Sequence, residues 1–287
     1  MKSRSAFSLF ELLVALAIVA ILIAILMPAL HSARDAARRL QCTSNFRQLG
    51  IAIKSYEAQF SEYPPASTVS PKRHSLLTFL LPYIDQQSVH DRYDWREHWN
   101  SAANRPATQA KIKTFRCPST PGDAKYTTDY AACLNIVAPA RRELLSNELV
   151  TARRSWLSML QNTRTTSMMI VDGMSNTYML FEDAGRPRKY ELGYRKAGKA
   201  KGSLWADAHS AFLIHRLCRG TSLMNCRNDN EIYSFHKAGC NFLYGDGSVH
   251  FVTEDIAPEI FVSRFTREAG DLAVPRAAAQ SLMLISE

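Results

Sequence analysis

The chain has 287 residues, of which 46% are hydrophobic and 21% charged, and it carries a net charge of +9. That balance is ordinary for a folded protein and, with no low-complexity tract or clear repeat, it excludes a disordered or fibrous chain. The Arg and Lys excess is densest at 34–39, 141–154 and 186–201; it would suit anionic headgroups, acidic polysaccharide or DNA, but is read as a basic surface, and no nucleic-acid partner is expected.

The first element is a helix of two halves over 7–60. Residues 7–30 read FSLFELLVALAIVAILIAILMPAL and are apolar apart from Ser8 and Glu11. At ~1.5 Å rise per residue this run is ~36 Å long, enough to cross a ~30 Å hydrocarbon layer. A secretory signal has a shorter apolar core and a small-residue cleavage site, whereas a charged helical stretch, HSARDAARRLQ, follows here. Apolar residues then recur at Cys42, Phe46, Leu49, Ile53, Tyr56 and Phe60, the stripe of an amphipathic helix. Lys2 and Arg4 place the amino terminus in the cytoplasm and the rest beyond the membrane. Arg34, Arg38 and Arg39 argue the other way, partly offset by Asp35. Glu11 sits where a carboxylate is costly and normally paired or functional. Pro28 removes a backbone hydrogen bond and is expected to kink or locally melt the helix.

Residues 61–75 are rich in Pro and Ser and end the helix near Phe60. A short apolar helix broken near Pro82 is expected over 76–87, and a basic helical insertion over 141–162. Strands are expected at 167–171 and 177–182 around a polar loop, then at 204–205 and 211–214. The best hairpin joins 241–244 to 248–252 through Gly245-Asp246-Gly247. A last helix covers 255–268. A long helix, then loops, then antiparallel strands is an α+β layout with a helix packed on a sheet.

Six cysteines in an exported domain suggest disulfides. Cys218 and Cys226 bracket seven residues and form the easiest local pair. A Cys42–Cys117 bridge would staple helix to domain and leave Cys133 with Cys240, but six cysteines allow 15 connectivities. The rival, a zinc site, finds no Cys-x2-Cys spacing to support it.

The start, Ser5-Ala6-Phe7-Ser8-Leu9-Phe10-Glu11-Leu12-Leu13, resembles the cleavage and methylation site of type IV prepilins and type II secretion pseudopilins. The resemblance implies a cut by prepilin peptidase between Ala6 and Phe7, N-methylation of Phe7, and Glu11 as the family's glutamate at mature position five. Ala6 departs from the glycine usual before the cut. Further pieces extend the resemblance along the chain: Gln41-Cys42 through Gln48-Leu49-Gly50, Tyr63-Pro64-Pro65, Leu81-Pro82-Tyr83, Cys117-Pro118-Ser119, Asp172-Gly173 with Ser175-Asn176-Thr177, and Phe235-His236 leading to Asp246-Gly247. In this order they resemble a family of prepilin-like proteins of unknown function (domain of unknown function 1559) with a C-terminal His-x9-Asp-Gly motif. That implies a leader at 1–6, a membrane helix at 7–30, its amphipathic extension at 31–60, and a pseudopilin-like domain at 61–287.

For the motif residues, Asp246 is expected to cap its own turn and His236 to bond a backbone carbonyl or Asp246. Asp172, Asn176 and Asp246 are a candidate calcium set, since hard cations take oxygen ligands. Catalysis, with His236 as base oriented by Asp246, ranks behind both; no nucleophile elbow or phosphate loop is present, and no enzyme is expected. The main expectation is a structural subunit of the inner membrane, its domain periplasmic, packing with copies of itself or other pseudopilins in a pilus or in the pseudopilus of a type II secretion-like system. The alternatives are a single-pass anchored domain that binds a sugar or polyanion, and third a hydrolase.

Overall fold

A single helix, α1 (Leu9–Phe60), carries both halves of the expected pattern. The computed structural model describes residues 9–229 and 231–269; the leader, with Ala6 and Phe7, lies outside them. Every residue from Leu9 to Gln41 is exposed. An apolar surface facing outward all round suits lipid or other helices, not the chain's own domain. The helix runs unbroken through Pro28, so the expected melting does not occur: one lost hydrogen bond is carried by flanking Leu, Ile, Met and Ala residues that tolerate helix well.

From Cys42 the helix meets the domain, burying Cys42, Asn45, Phe46, Leu49, Gly50, Ala52 and Ile53. The expected stripe weakens at its end: Tyr56 is half-buried beside the rings of Phe79 and Tyr83, and Phe60 is 49% exposed.

The main sheet has four strands, β1 (Tyr130–Ala131), β2 (Tyr178–Glu182), β3 (Gly239–Tyr244) and β4 (Val249–Thr253), in the order β4-β3-β2-β1 with antiparallel neighbours. β2 and β3 are buried at every position, so both faces of the sheet are covered along its two central strands. The two-residue alternation of strands sorts the side chains. Leu180 and Leu243 share one core with Cys42, Phe46 and Leu49 of α1. Phe181 and Phe242 face the other core, with Phe261 and Phe265 of a short helix, Pro258–Phe265. The result is an α+β sandwich of helix, sheet and helix. Gly50 permits the close approach of α1: a Cβ there would lie 2.9 Å from Leu243 Cδ1. The β3–β4 hairpin turns as expected, with Gly247 at φ +92° and its N–H donating to the Tyr244 carbonyl.

Several expectations change. Residues 167–171 are not a strand; Ser167–Met169 is a single 3-10 turn with Met168 exposed. β2 pairs with β3 and, at Phe181 and Glu182, with β1, and not with this run. Leu204 makes only an isolated bridge to Thr127. Residues Phe212–Ile214 are a strand, but parallel to Cys133–Ile136 and outside the main sheet. The helix expected over 141–162 is limited to Ala138–Ser146; beyond it Val150, Trp156, Met159 and Leu160 are buried in irregular chain. Residues 76–87 hold a helical turn at Leu76–Phe79 and a 3-10 turn at Leu81–Ile84. The last helix is shorter than expected because Pro258 sets its first turn. The basic stretch 186–201 contains an unforeseen hairpin, Arg188–Glu191 with Tyr194–Lys199.

Candidate functional site

Four buried side chains from four parts of the fold meet beside the sheet: Cys42 of α1, Cys117 of the loop after Phe115, Glu182 at the end of β2 and His236 just before β3. Cys42 and Cys117 form a disulfide, with Cα atoms 5.3 Å apart. His236 Nε2 lies 3.3 Å from Glu182 Oε1 and 3.5 Å from Cys117 Sγ. One potential ligand atom from each of the four lies within 4.8 Å of all the others.

A surrounding set of hydrogen bonds fixes His236, Glu182 and Cys117. His236 Nδ1 lies 3.4 Å from Ser119 Oγ, and the His236 backbone N–H donates to Ser234 Oγ. Glu182 Oε2 accepts from the Asn241 backbone N–H at 2.9 Å, and Oε1 is 3.4 Å from the Asn241 amide nitrogen. These contacts follow from the strand order, because β3 lies beside β2. The Cys117 N–H donates to Asp129 Oδ2 at 2.9 Å. Burial pushes the Asp129 carboxyl up, opposed by Arg116, whose Nε is 3.2 Å away.

Three of the segments that carry the resemblance, Gln41-Cys42, Cys117-Pro118-Ser119 and Phe235-His236, therefore converge on one point. Glu182 was not among the sequence-predicted site residues. Its signal was a carboxylate closing an otherwise apolar strand, YMLFE. With the two sulfurs bonded to each other, the cluster holds no free thiolate and acts as a covalent staple between α1 and the domain.

His236 and Asp246 do not pair. Their nine-residue spacing contains the six residues of β3, and a strand of that length holds its ends ~20 Å apart. The carboxylate beside His236 is Glu182, so a base oriented by Asp246 is not present. Asp246 Oδ1 accepts from the Ser248 N–H at 2.8 Å and caps the hairpin. Asp172 Oδ2 accepts from the Ala269 N–H at 2.9 Å. Asn176 donates from its amide to the Asp172 carbonyl, and Ser175 adjoins it in a loop turning through Gly173 at φ +92°. This loop touches the hairpin turn through backbone, Asp246 N–H to Met174 O and Gly245 N–H to Thr177 O. Glu11 is exposed on the apolar half of α1.

Cys218 and Cys226 form the second disulfide. Cys133 and Cys240 do not form a third; both are free and buried. Cys133 lies in the ladder with Phe212, and Cys240 pairs across β3–β4 with Val252. Burial pushes both thiols well above their usual range, which keeps them neutral and unreactive.

No curated protein and no solved structure matches the chain. Two family profiles do: the prokaryotic N-terminal methylation motif over residues 1–27, and a protein family of unknown function over residues 31–259. By the second match the chain belongs to the DUF1559 family of proteins of unknown function, here carried behind the methylation motif of a type IV pilin-like precursor.

Proposed function

We propose that this type IV pilin-like precursor is a structural subunit. Prepilin peptidase cuts it between Ala6 and Phe7 and methylates Phe7, and the mature chain assembles with copies of itself or other pseudopilins into a pilus or a type II secretion-like pseudopilus. The observation that carries the reading is the bare apolar half of α1. From Leu9 to Leu30 it is ~33 Å long and exposed throughout. Among the described residues no part of the domain covers it, so its cover is lipid before assembly and neighbouring helices after it. Within such a bundle the new amino group of Phe7 pairs with Glu11 of a neighbouring subunit, a register contact that stays favourable only when both charges are present. The leader is cytoplasmic, the helix crosses the inner membrane once, and the domain is periplasmic.

The test is mass analysis of the amino terminus of membrane-extracted protein, with cross-linking to detect assembly. N-methylated Phe7 and a ladder of cross-linked subunits support the reading; an intact Met1 in a monomer refutes it.

A second reading, an anchored domain that binds a polyanion, is supported by a cavity of about 630 Å³ beside α1. Asn45, Lys111, Lys113, Arg116 and Asp123 line it; Arg116 is already paired with Asp129, which leaves Lys111 and Lys113 against one carboxylate. An anionic oligosaccharide that binds the wild type but not a Lys111→Ala/Lys113→Ala variant would favour it.

A further inference from the structure

We propose that Cys42, Cys117, Glu182 and His236 form a zinc site when the Cys42–Cys117 bridge is reduced. α1 is then tied to the domain in either redox state, through the Cys42–Cys117 bond when oxidised or through a metal held by all four residues when reduced. This inference does not depend on how the chain assembles.

Distances already present in the oxidised chain carry the argument. In a tetrahedral zinc site, bonds of ~2.0–2.1 Å to oxygen and nitrogen set those two ligands ~3.3 Å apart, and a ~2.3 Å bond to sulfur sets nitrogen and sulfur ~3.6 Å apart. The His236 Nε2 to Glu182 Oε1 distance is 3.3 Å, and the His236 Nε2 to Cys117 Sγ distance is 3.5 Å. Two edges of the tetrahedron are thus in place. Of the other four edges, the sulfur–sulfur one opens to ~3.7 Å once the two are no longer bonded to each other, and the three others start from within the 4.8 Å that holds all four ligand atoms.

The second shell is also in place. Zinc-bound imidazole donates its other N–H to a fixed acceptor, which sets its tautomer and ring orientation. Ser119 Oγ sits 3.4 Å from His236 Nδ1 and leaves Nε2 for the metal. The Asn241 N–H holds Glu182 Oε2 and leaves Oε1. Two thiolates, an imidazole and one carboxylate are a soft donor set that selects zinc over magnesium or calcium. Four protein ligands, all buried, make a closed site with a structural role. Two thiolates and a carboxylate around Zn²⁺ leave one negative charge. Asp35, Arg38, Arg39 and Lys237 line the cavity of about 350 Å³ that includes His236; with Arg38 paired to Asp35, Arg39 and Lys237 remain as cations on that side of the site.

The chemistry balances with a dithiol as reductant. The dithiol passes two electrons and two protons to the bridge and becomes a disulfide itself, and Cys42 and Cys117 become thiols. Zinc then binds both sulfurs and releases the two thiol protons to solvent.

The test uses the full chain in detergent micelles, with oxygen excluded. A phosphine reduces it, taking oxygen from water to become its oxide while the two protons of that water go to the sulfurs. Zinc and cobalt are then titrated in separately. The expected result is one tightly bound metal per reduced chain, none at this site in the oxidised chain, and the visible bands of a tetrahedral thiolate complex with cobalt. A Cys218→Ser/Cys226→Ser variant should bind unchanged. His236→Ala and Glu182→Gln should each lower affinity at least tenfold, and both keep the bridge, so their oxidised forms report folding separately. Ser119→Ala, which removes only the partner of Nδ1, should lower affinity by about 10–100-fold. A reduced chain that binds no zinc, zinc lost with Cys218 and Cys226, or affinity unchanged in both His236→Ala and Glu182→Gln would overturn the proposal.

Discussion

His236 Nε2 and Glu182 Oε1 are 3.3 Å apart, with both side chains buried against the bridge that joins α1 to the domain. Removing the imidazole leaves the carboxylate buried with only its Asn241 contacts. Losing one partner of a buried polar pair costs about 1–3 kcal/mol. His236→Ala should therefore lower the melting temperature of the oxidised full chain in detergent. An unchanged melting temperature would mean that the pair contributes nothing to the domain's stability.

The two disulfides close loops of very different length, with sequence separations of 75 and 8. Chain entropy makes the longer loop the larger contribution, about 4 kcal/mol against about 2–3. Cys42→Ser should be more destabilising than Cys218→Ser, measured by denaturant unfolding of otherwise identical protein. Equal losses would show that restriction of the unfolded chain is not what the long bridge supplies.

Glu231 is buried, and desolvation pushes its carboxyl up to about 8, against the opposing His215 N–H and Arg227. Its ordinary value is 4.5, so between these values the folded chain holds a proton that the unfolded chain has lost. Stability is then highest below about pH 4.5 for this group and declines as pH rises towards 8. Asp183, also buried and pushed up to about 8, adds the same sign. Melting temperature should fall on going from pH 5 to pH 8.5, and less steeply in Glu231→Gln. A slope identical in the variant would remove Glu231 from the account.

Asp246 caps its hairpin by accepting from the Ser248 N–H. Asp246→Ala should cost about 1 kcal/mol, the usual net worth of such a bond, equally with calcium and with chelator. A calcium-dependent rise in melting temperature that vanishes in the variant would instead place a cation between this turn and the Asp172–Asn176 loop.

By itself the sequence determined the elements whose signal is local. The apolar run, the stripe from Cys42 to Ile53, the Gly245-Asp246-Gly247 turn and the Cys218–Cys226 loop depend on neighbours a few residues away, and period and turn chemistry record such neighbours directly. Tertiary structure alone decided which distant residues meet. The sequence spacing of His236 and Asp246 read as a pair, but an extended strand of six residues holds them at its two ends. Glu182 carried no motif and became the partner of His236 because β2 and β3 are hydrogen-bonded neighbours. Cys133 and Cys240 were paired by elimination, and they stay apart because their strands belong to different sheets. Strand order and register arise from packing across the whole chain, and no window of sequence contains them.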